Sequence, residues 1–300
     1  MTLEPVIRDS LECLRVVEGR LEILIAQAIG PRIVGFRLLD GPQLFASLPG
    51  LGIERSGAAP YRFHGGHRLW AAPEVPATTY APDDRPVAVA SDARGISVLA
   101  PVDAAGLEKS MHLTLRGSAV IVDHTIVNAA DDTITLAPWA ITQFAVGGTA
   151  IIPLGSRLVD EFQAERSLVA WPYTSWSDPL ITIGDEQVLI EAVRRDPLKL
   201  GTALRREWLG YRLENNLFVK RAAYPPTTPL VDLGATGQCY CNDEFLELET
   251  VGPLAALRHG ETITHREVWE IFEVPSHTPL PRVAQDLGLD HRSPLLDVVA

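Results

Sequence analysis

The chain has 300 residues, of which 46% are hydrophobic and 21% are charged. This balance is typical of a globular protein with a substantial core, arranged as one large domain or two ordinary ones. Its formal net charge of −12 at pH 7 would repel phosphate backbones and anionic membrane surfaces, which argues against nucleic acid and membranes as partners.

The expected location of the protein follows from its first residues and its cysteines. No apolar run approaches the length that crosses a bilayer, and the first 15 residues carry acidic side chains where a secretory leader would carry basic ones. The 3 cysteines, Cys13, Cys239 and Cys241, are too few for a disulfide framework. We therefore expect a cytoplasmic protein in a reducing compartment.

Strand signals dominate the chain from its start. The segment to Glu18 predicts a peripheral strand or turn, residues 20–29 and 32–39 predict two strands, and Asp40-Gly41 predicts a hairpin turn. Residues 46–60 are rich in Gly, Pro and Ser and predict a loop. Further strands are predicted at 87–90, 96–100, 107–115, 119–128, 133–144, 180–183, 187–192, 208–212, 217–222, 237–241, 245–251 and 262–274.

Short strands joined by turns, without long amphipathic helices between them, predict an antiparallel sandwich or barrel. We find neither an internal repeat nor a composition shift that would mark a domain boundary. The expectation is one all-β domain over residues 1–300, with its core at about 20–274 and a loosely packed C-terminal tail at 275–300.

Residues 61–74 combine polar and aromatic side chains around the pair Gly65-Gly66. Its chemically active members are Arg62, His64, His67, Arg68, Trp70 and Glu74. An arginine offers a planar set of donors and a histidine can donate, accept or titrate near neutral pH, so this turn could hold an anion or a sugar. The alternative is a structural turn whose arginine pairs with a surface carboxylate. The two histidines and Glu74 lack a matching cluster of further ligands, and we predict no metal.

The second unusual stretch is an acidic strand that begins at Phe245. Because side chains alternate along a strand, Glu247 and Glu249 should point to the same face. A carboxylate that is partly desolvated in a cleft has a raised pKa and suits a general base. The alternative is that one or both form salt bridges, for which Lys199, Lys220 and Arg221 are candidates.

Several aromatic and amide side chains could stack on a sugar ring or hydrogen-bond to it, although any single tryptophan is more often part of a core. These are Trp139, Gln143, Trp171, Tyr173 and Trp176. His112 and His124 lie within alternating strands and are expected to be structural. No cysteine stands near a recognisable base, and no glycine-rich loop joins a buried strand to a helix, so thiol catalysis and phosphate cradling are not predicted.

The order of several short motifs carries a resemblance that none of them carries alone. They are Gly30-Pro31-Arg32-Ile33, Asp40-Gly41, the segment 64–70, Val127 to Asp132, Phe245 to Thr250, and the closing strand from Gly260 to Trp269. In this order they resemble the galactose mutarotase-like superfamily, a group of large β-sandwich proteins that includes the aldose 1-epimerases. The resemblance covers most of residues 20–274.

The resemblance implies a large antiparallel β-sandwich and a site without cofactors. In the epimerases a glutamate in a Leu-Glu-Thr context removes the anomeric hydroxyl proton, and Glu249, followed by Thr250, matches that position. A histidine of the family donates a proton to the ring oxygen, but the similar segment here, residues 137–144, contains none. His67 or Arg68 would then supply the proton, or the protein is not an epimerase.

Two functions remain open from the sequence. The first is an aldose 1-epimerase-like isomerase with Glu249 as base and His67 as proton donor, while Arg68, Trp70, Glu74, Trp139, Gln143 and Glu247 bind the sugar. The second is a non-catalytic carbohydrate-binding protein that uses the same pocket, and a protein-interaction sandwich is a more distant third. The sequence identifies neither the sugar nor the oligomeric state.

Overall fold

Alternation of apolar and polar residues along short segments produces strands nearly throughout the protein. The computed structural model describes residues 1–155, 162, 164–193, 196–225 and 228–297. In this part of the chain there are 22 strands and two short α-helices. No helix in the described ranges is both long and apolar enough to span a membrane.

The first half of the chain contains eleven strands and one helix. They are β1 (Thr2–Arg8), β2 (Leu11–Glu18), β3 (Leu21–Ala26), β4 (Arg32–Leu38), β5 (Ser47–Ile53), β6 (Tyr61–Ala72), α1 (Pro76–Thr79), β7 (Ala88–Asp92), β8 (Gly95–Leu99), β9 (Leu107–Arg116), β10 (Ala119–Asn128) and β11 (Ile134–Ala145).

The second half continues in the same manner. Its elements are β12 (Thr149–Pro153), β13 (Val169–Ala170), β14 (Ile181–Ile183), β15 (Gln187–Glu191), β16 (Leu198–Thr202), β17 (Leu209–Leu213), β18 (Asn216–Ala222), β19 (Gly237–Cys241), β20 (Phe245–Val251), β21 (Ala255–Leu257), β22 (Thr262–Glu273) and α2 (Leu280–Asp286). Single 3₁₀ turns lie at Asp232–Gly234 and Pro294–Leu296.

The strands form two large antiparallel sheets. The first sheet has the order β1-β2-β3-β4-β6-β11-β20-β19-β16-β13, with β5 paired to β6 and β21 paired to β11. The second has the order β14-β15-β12-β17-β18-β22-β10-β9-β8-β7. The expected large antiparallel β-sandwich is confirmed.

The main core lies between the two sheets and is rich in aromatic rings. Phe36 of the first sheet meets Phe218 and Trp269 of the second, with ring centroids 5.3 and 5.6 Å apart in edge-on geometry. Phe45 packs edge-on against Phe144 at 5.6 Å. Edge-to-face pairs of this kind add about 0.5–1.5 kcal/mol each beyond the burial of their surface.

Two expectations about loops are wrong. Residues 46–60, expected to be a loop, contain β5, which pairs with β6 with a register shift between Leu48 and Gly52. Gly65 and Gly66, expected to form a turn, lie inside β6 with φ of +85° and +72°. A Cβ on Gly66 would lie 2.3 Å from the carbonyl oxygen of Ile33, so the missing side chain lets β6 approach β4 closely.

The C-terminal segment is packed rather than loose over residues 275–297. Leu280 and Val283 of α2 are buried in a second apolar cluster with Trp208 and Leu217. The indole Nε1 of Trp208 donates to Asp290 Oδ1 at 3.2 Å and joins the end of the chain to the second sheet. The expectation of a loosely packed tail is therefore wrong for these residues, because they cover an apolar surface of the sandwich.

Candidate functional site

The floor of the candidate site is the outer face of the first sheet, where alternate residues of five neighbouring strands point away from the core. Residues that lie opposite one another on neighbouring strands form rows across this sheet, and two rows form the site. The first row consists of Arg68, Ile141, Glu249 and Gln238, and the second of Gly66, Gln143, Glu247, Tyr240 and Lys199. Long side chains in these rows reach diagonally to partners in the other row.

A cavity of about 730 Å³ lies on this floor, within the usual range for small-molecule sites. Most of its wall is aromatic or charged. Its lining residues are Leu51, Ile53, Phe63, Arg68, Trp70, Glu74, Tyr80, Trp139, Tyr173, Asp196, Pro197, Lys199, Tyr240, Asn242, Phe245 and Glu247. The structure thus brings Arg68, Trp70, Glu74, Trp139 and Glu247 of the sequence-predicted site together.

Arg68 is held from two directions. Its Nη2 donates to Glu247 Oε1 at 2.8 Å, and its Cζ lies 4.1 Å from the ring centroid of Trp70 and 5.4 Å from that of Phe63. A buried guanidinium that is both ion-paired and stacked on aromatic rings keeps one orientation. It therefore presents a fixed set of donors beside the cavity.

Glu249 is paired as well, with Lys199. The Lys199 Nζ lies 2.8 Å from Glu249 Oε2, and the Trp139 Nε1 donates to the same oxygen at 2.7 Å. The ammonium also lies 4.6 Å from the ring of Trp139 and 4.7 Å from that of Trp171. The sequence had offered Lys199 only as one of three possible ion-pair partners.

The two carboxylates of β20 differ in their access to the cavity. Glu247 lines the cavity, whereas Glu249 is fully buried beneath Lys199 and Trp139. Burial raises the pKa of Glu249 and the nearby Glu247 raises it further, while the charge and hydrogen bond of Lys199 and the Trp139 hydrogen bond lower it. Because burial is the largest of these effects, the pKa of Glu249 lies above that of an ordinary glutamate.

Unsatisfied hydrogen-bonding atoms are concentrated on the same floor. Among the residues that the structure describes, no partner is present for Nε and Nη1 of Arg68, for either amide atom of Gln143, for Oε1 of Gln238 or for Oε1 of Glu249. Leaving a buried polar atom unpaired costs about 1–3 kcal/mol, so such atoms are rare in folded proteins. These atoms are themselves buried, and of the four residues only Arg68 lines the cavity, so Gln143, Gln238 and Glu249 lie beneath the floor.

The walls supply apolar faces and phenol groups. The rings of Trp70 and Trp139 lie 5.4 Å apart, and Tyr80 stands edge-on to Trp70 at 5.2 Å. Burial raises the pKa of Tyr240 to about 12 and also raises that of Tyr173, so both hydroxyls stay protonated at neutral pH. At the rim, the hydroxyl of Tyr80 donates to Glu74.

Several lining residues were missed by the sequence reasoning, notably Phe63, Tyr80 and Tyr240. Tyr240 could have been found from alternation alone, since it is flanked by Cys239 and Cys241 on a five-residue strand and must face away from them. Its proximity to Glu247 depends on the pairing of β19 with β20, which local sequence does not show.

No known family model matches the sequence, and no curated protein matches it, but solved structures do match its fold. A protein from Klebsiella pneumoniae, provisionally named an aldose 1-epimerase, has a TM-score of 0.59 at 10% identity, over 94% of this chain and 82% of that one. A Salmonella typhimurium protein, provisionally named a mutarotase, has a TM-score of 0.54 at 11% identity, over 90% and 94%.

A galactose mutarotase-like protein from Clostridium acetobutylicum has a TM-score of 0.51 at 11% identity, over 91% of this chain and 99% of that chain. The chain has the galactose mutarotase-like fold. At these identities the likeness concerns the fold alone, so the chemistry of the site rests on its own residues.

The galactose mutarotase-like sandwich places His67 away from the cavity. His67 is adjacent to Arg68 on β6, so the two side chains point to opposite faces of the first sheet, and His67 is fully buried between the sheets. Its Nε2 lies 2.7 Å from Nε2 of His124, and its Nδ1 lies 2.9 Å from Oγ1 of Thr142. The expectation that His67 and Glu249 share a cleft is wrong.

His67 belongs instead to a polar network that crosses the sandwich. At its centre, the Lys220 Nζ lies 2.9 Å from Glu267 Oε1 and donates to the carbonyl oxygens of Ala140 and Leu248, each at 3.0 Å. The Trp269 Nε1 donates to Glu267 Oε2 at 2.8 Å. Lys220 and Glu267 are both fully buried, so this ion pair links the second sheet to the first.

The hydrogen bonds of the network fix the protonation of its histidines. The His124 Nδ1 must donate to the carbonyl oxygen of His265 at 2.9 Å, so in the neutral ring its Nε2 accepts from His67. The Nδ1 of His67 then accepts from the hydroxyl of Thr142. Ligand atoms of His67, His124 and Glu267 lie within 4.8 Å of one another, a spacing that a metal could bridge, but each residue already has hydrogen-bond partners here.

We expect the protein to lose stability as the pH falls below about 6.5. Burial lowers the pKa of His67 and of His124, and lowers that of His265 to about 4. Between about 6.5 and these lower values the unfolded chain binds more protons than the folded one, which costs about 1.4 kcal/mol per pH unit for each excess proton. Burial alone would raise the pKa of Glu267, but Lys220, His124, His265 and the Thr250 hydrogen bond together lower it, so its contribution is lost at still lower pH.

Urea denaturation at pH 7.5, 6.5, 5.5 and 4.5 measures this dependence. The raised pKa of Glu249 should increase stability as the pH falls. This is one carboxyl group, whereas three histidines lower the stability over the same range. As a control, replacing the exposed His259 with glutamine should leave the slope unchanged. A free energy of unfolding that stays constant or rises between pH 6.5 and 5 would show that the buried histidines do not govern acid stability.

Proposed function

We propose that the protein is an aldose 1-epimerase-like enzyme that exchanges the anomers of a free sugar bound in the cavity. Support for sugar binding comes from the polar side chains that line the cavity, among them Arg68, Glu74, Lys199 and Glu247, which offer donors and acceptors to hydroxyl groups. Trp70 and Trp139 offer apolar faces beside them. A ligand with many hydroxyls and an apolar ring face matches both features.

The observation that carries the enzymatic proposal is the free oxygen of Glu249. Its Oε2 is occupied by Lys199 and Trp139, while its Oε1 has no partner among the described residues. This carboxylate has a raised pKa, but it is buried beneath Lys199 and Trp139, so it accepts the proton of an anomeric hydroxyl only once the Lys199 side chain shifts aside. Loss of that proton starts ring opening, in which the bond from the anomeric carbon to the ring oxygen breaks; no cofactor is needed because the oxidation state of the sugar does not change.

The remaining residues have binding roles in this proposal. Arg68, fixed by Glu247, donates to sugar oxygens, whereas Gln143 is fully buried and does not line the cavity. Trp70 and Trp139 pack against the ring, and Glu74 with Tyr80 forms part of the rim. The net charge of −12 adds no long-range attraction for an anionic sugar.

A non-catalytic carbohydrate-binding protein is the second candidate. The observation in its favour is that no histidine is present among the described residues that line the cavity. Sugar binding without proton transfer would use the same aromatic walls and the same floor.

Two measurements separate these functions. We expect the wild-type protein to accelerate anomer exchange of at least one free aldose, followed by NMR or polarimetry, and to bind the matching methyl glycoside, which cannot open its ring. Binding without acceleration over buffer would favour the non-catalytic protein. Neither binding nor exchange across a panel of neutral, amino and acidic sugars would reject both functions.

A further inference from the structure

The geometry points to Lys199 as the acid that protonates the ring oxygen during anomer exchange, as the partner of Glu249. This inference rests on the proposed function and adds to it the group that the sequence did not supply. Lys199 lines the cavity, is only 5% exposed, and is the residue there whose charged atom touches the carboxylate of Glu249.

The placement of Lys199 favours a proton-transfer role over simple charge balance. Its ammonium carries three hydrogens, of which one is directed to Glu249 Oε2, while the rings of Trp139 and Trp171 lie 4.6 and 4.7 Å away and accept no full hydrogen bond. Hydrogens therefore remain for a ligand in the cavity.

The base and the acid lie close enough to act on one sugar. The ring oxygen and the anomeric oxygen of an aldose are bonded to the same carbon, so the groups that serve them must be neighbours. Glu249 and Lys199 are in direct contact at 2.8 Å, and the unpaired Oε1 of the carboxylate is buried, whereas Lys199 lines the cavity. A sugar that draws the Lys199 ammonium towards its ring oxygen can then present its anomeric hydroxyl to the carboxylate.

The proton transfers balance without solvent or cofactor. Glu249 Oε1 takes the proton of the anomeric hydroxyl, the bond between the anomeric carbon and the ring oxygen breaks, and the ring oxygen takes a proton from Lys199 Nζ. The products are the open-chain aldehyde, a carboxylic acid and a neutral amine. After rotation about the bond from the aldehyde carbon to its neighbour, ring closure reverses these transfers: Glu249 returns its proton to the aldehyde oxygen and Lys199 Nζ takes the proton of the hydroxyl that was the ring oxygen, which restores the ion pair.

Other groups on the wall are less suited to this role. The pKa of Tyr240 is raised to about 12 and burial raises that of Tyr173, so both are poor acids near neutral pH. Arg68 does not release its proton in proteins and already donates to Glu247. His67, the donor expected from the sequence, lies on the other side of the sheet.

The decisive variant is Lys199→Arg, which keeps the positive charge but cannot donate a proton at usable pH. We expect it to bind the methyl glycoside within about threefold of wild type and to lose about 10²-fold or more in kcat for anomer exchange. A kcat within tenfold of wild type would show that Lys199 acts through charge alone and would overturn the inference.

Chemical rescue provides a readout that a structural role would not move. Lys199→Ala removes the amine and should regain part of its exchange rate with added propylammonium, but not with tetramethylammonium, which has the charge and no proton. Equal rescue by both cations would overturn the inference. Wild-type protein that binds the glycoside but exchanges no aldose would reject the proposed enzyme and this donor together, whereas active wild type with active Lys199→Arg rejects the donor alone.

Discussion

Replacing Glu267 with glutamine is expected to destabilise the fold by about 3–5 kcal/mol, because it leaves the ammonium of Lys220 buried without a counter-charge. Both side chains are fully buried, and the glutamate receives hydrogen bonds from Trp269 and Thr250 as well. Glutamine has nearly the same shape, so the loss would reflect charge rather than a cavity. The measurement is equilibrium denaturation in urea at pH 7.5.

A matched control separates burial from ion pairing as such. Glu273 forms a surface pair with Arg20 at 2.7 Å, and Glu273→Gln is expected to leave the denaturation midpoint close to wild type. The double variant Lys220→Met with Glu267→Gln should lose less free energy of unfolding than the two single variants lose in total, since neither partner is then charged. A Glu267→Gln protein as stable as the control would contradict the assignment of Lys220 and Glu267 as a charged pair.

Replacing Glu249 with glutamine is expected to reduce kcat for anomer exchange by about 10²–10⁴-fold, the usual contribution of a general base. The amide can still accept from Trp139 but cannot remove a proton from the sugar. Binding of the methyl glycoside should persist, which also shows that the variant is folded. The measurement is NMR exchange of the anomers at saturating sugar.

Glu247 is the informative comparison because it lies two residues away on the same face of β20 and lines the cavity. Its partner is Arg68, so Glu247→Gln should loosen the guanidinium and raise KM more than it lowers kcat. The reverse result, with kcat lost in Glu247→Gln and kept in Glu249→Gln, would transfer the role of base to Glu247.

The sandwich was predictable because its strands are short, alternating and separated by turn residues. The exceptions have physical reasons. β5 contains Pro49, Gly50 and Gly52, which disfavour strand by local propensity, yet the segment pairs with β6 and tertiary contact outweighs propensity. In α2, Leu280, Val283 and Ala284 mark one helical face, a pattern too short to be convincing before its partner Trp208 is known.

The site was predictable only in part. Alternation correctly placed Glu247 and Glu249 on one face, and the same rule separates His67 from Arg68, because neighbouring residues of a strand cannot share a face. The contact of Lys199 with Glu249 could not be derived, since it depends on two successive long-range pairings, of β16 with β19 and of β19 with β20. Sequence spacing carries no record of such pairings.

The two ion pairs of the floor each pass over an intervening strand. Arg68 on β6 reaches across β11 to Glu247, and Lys199 on β16 reaches across β19 to Glu249, so both end on β20 from opposite sides. Because each pair joins two strands that are not direct neighbours, the two pairs resist sliding of the five strands past one another. A ligand should therefore meet strands of fixed register, and the adjustment that binding requires should fall on side chains and on the loops of the rim.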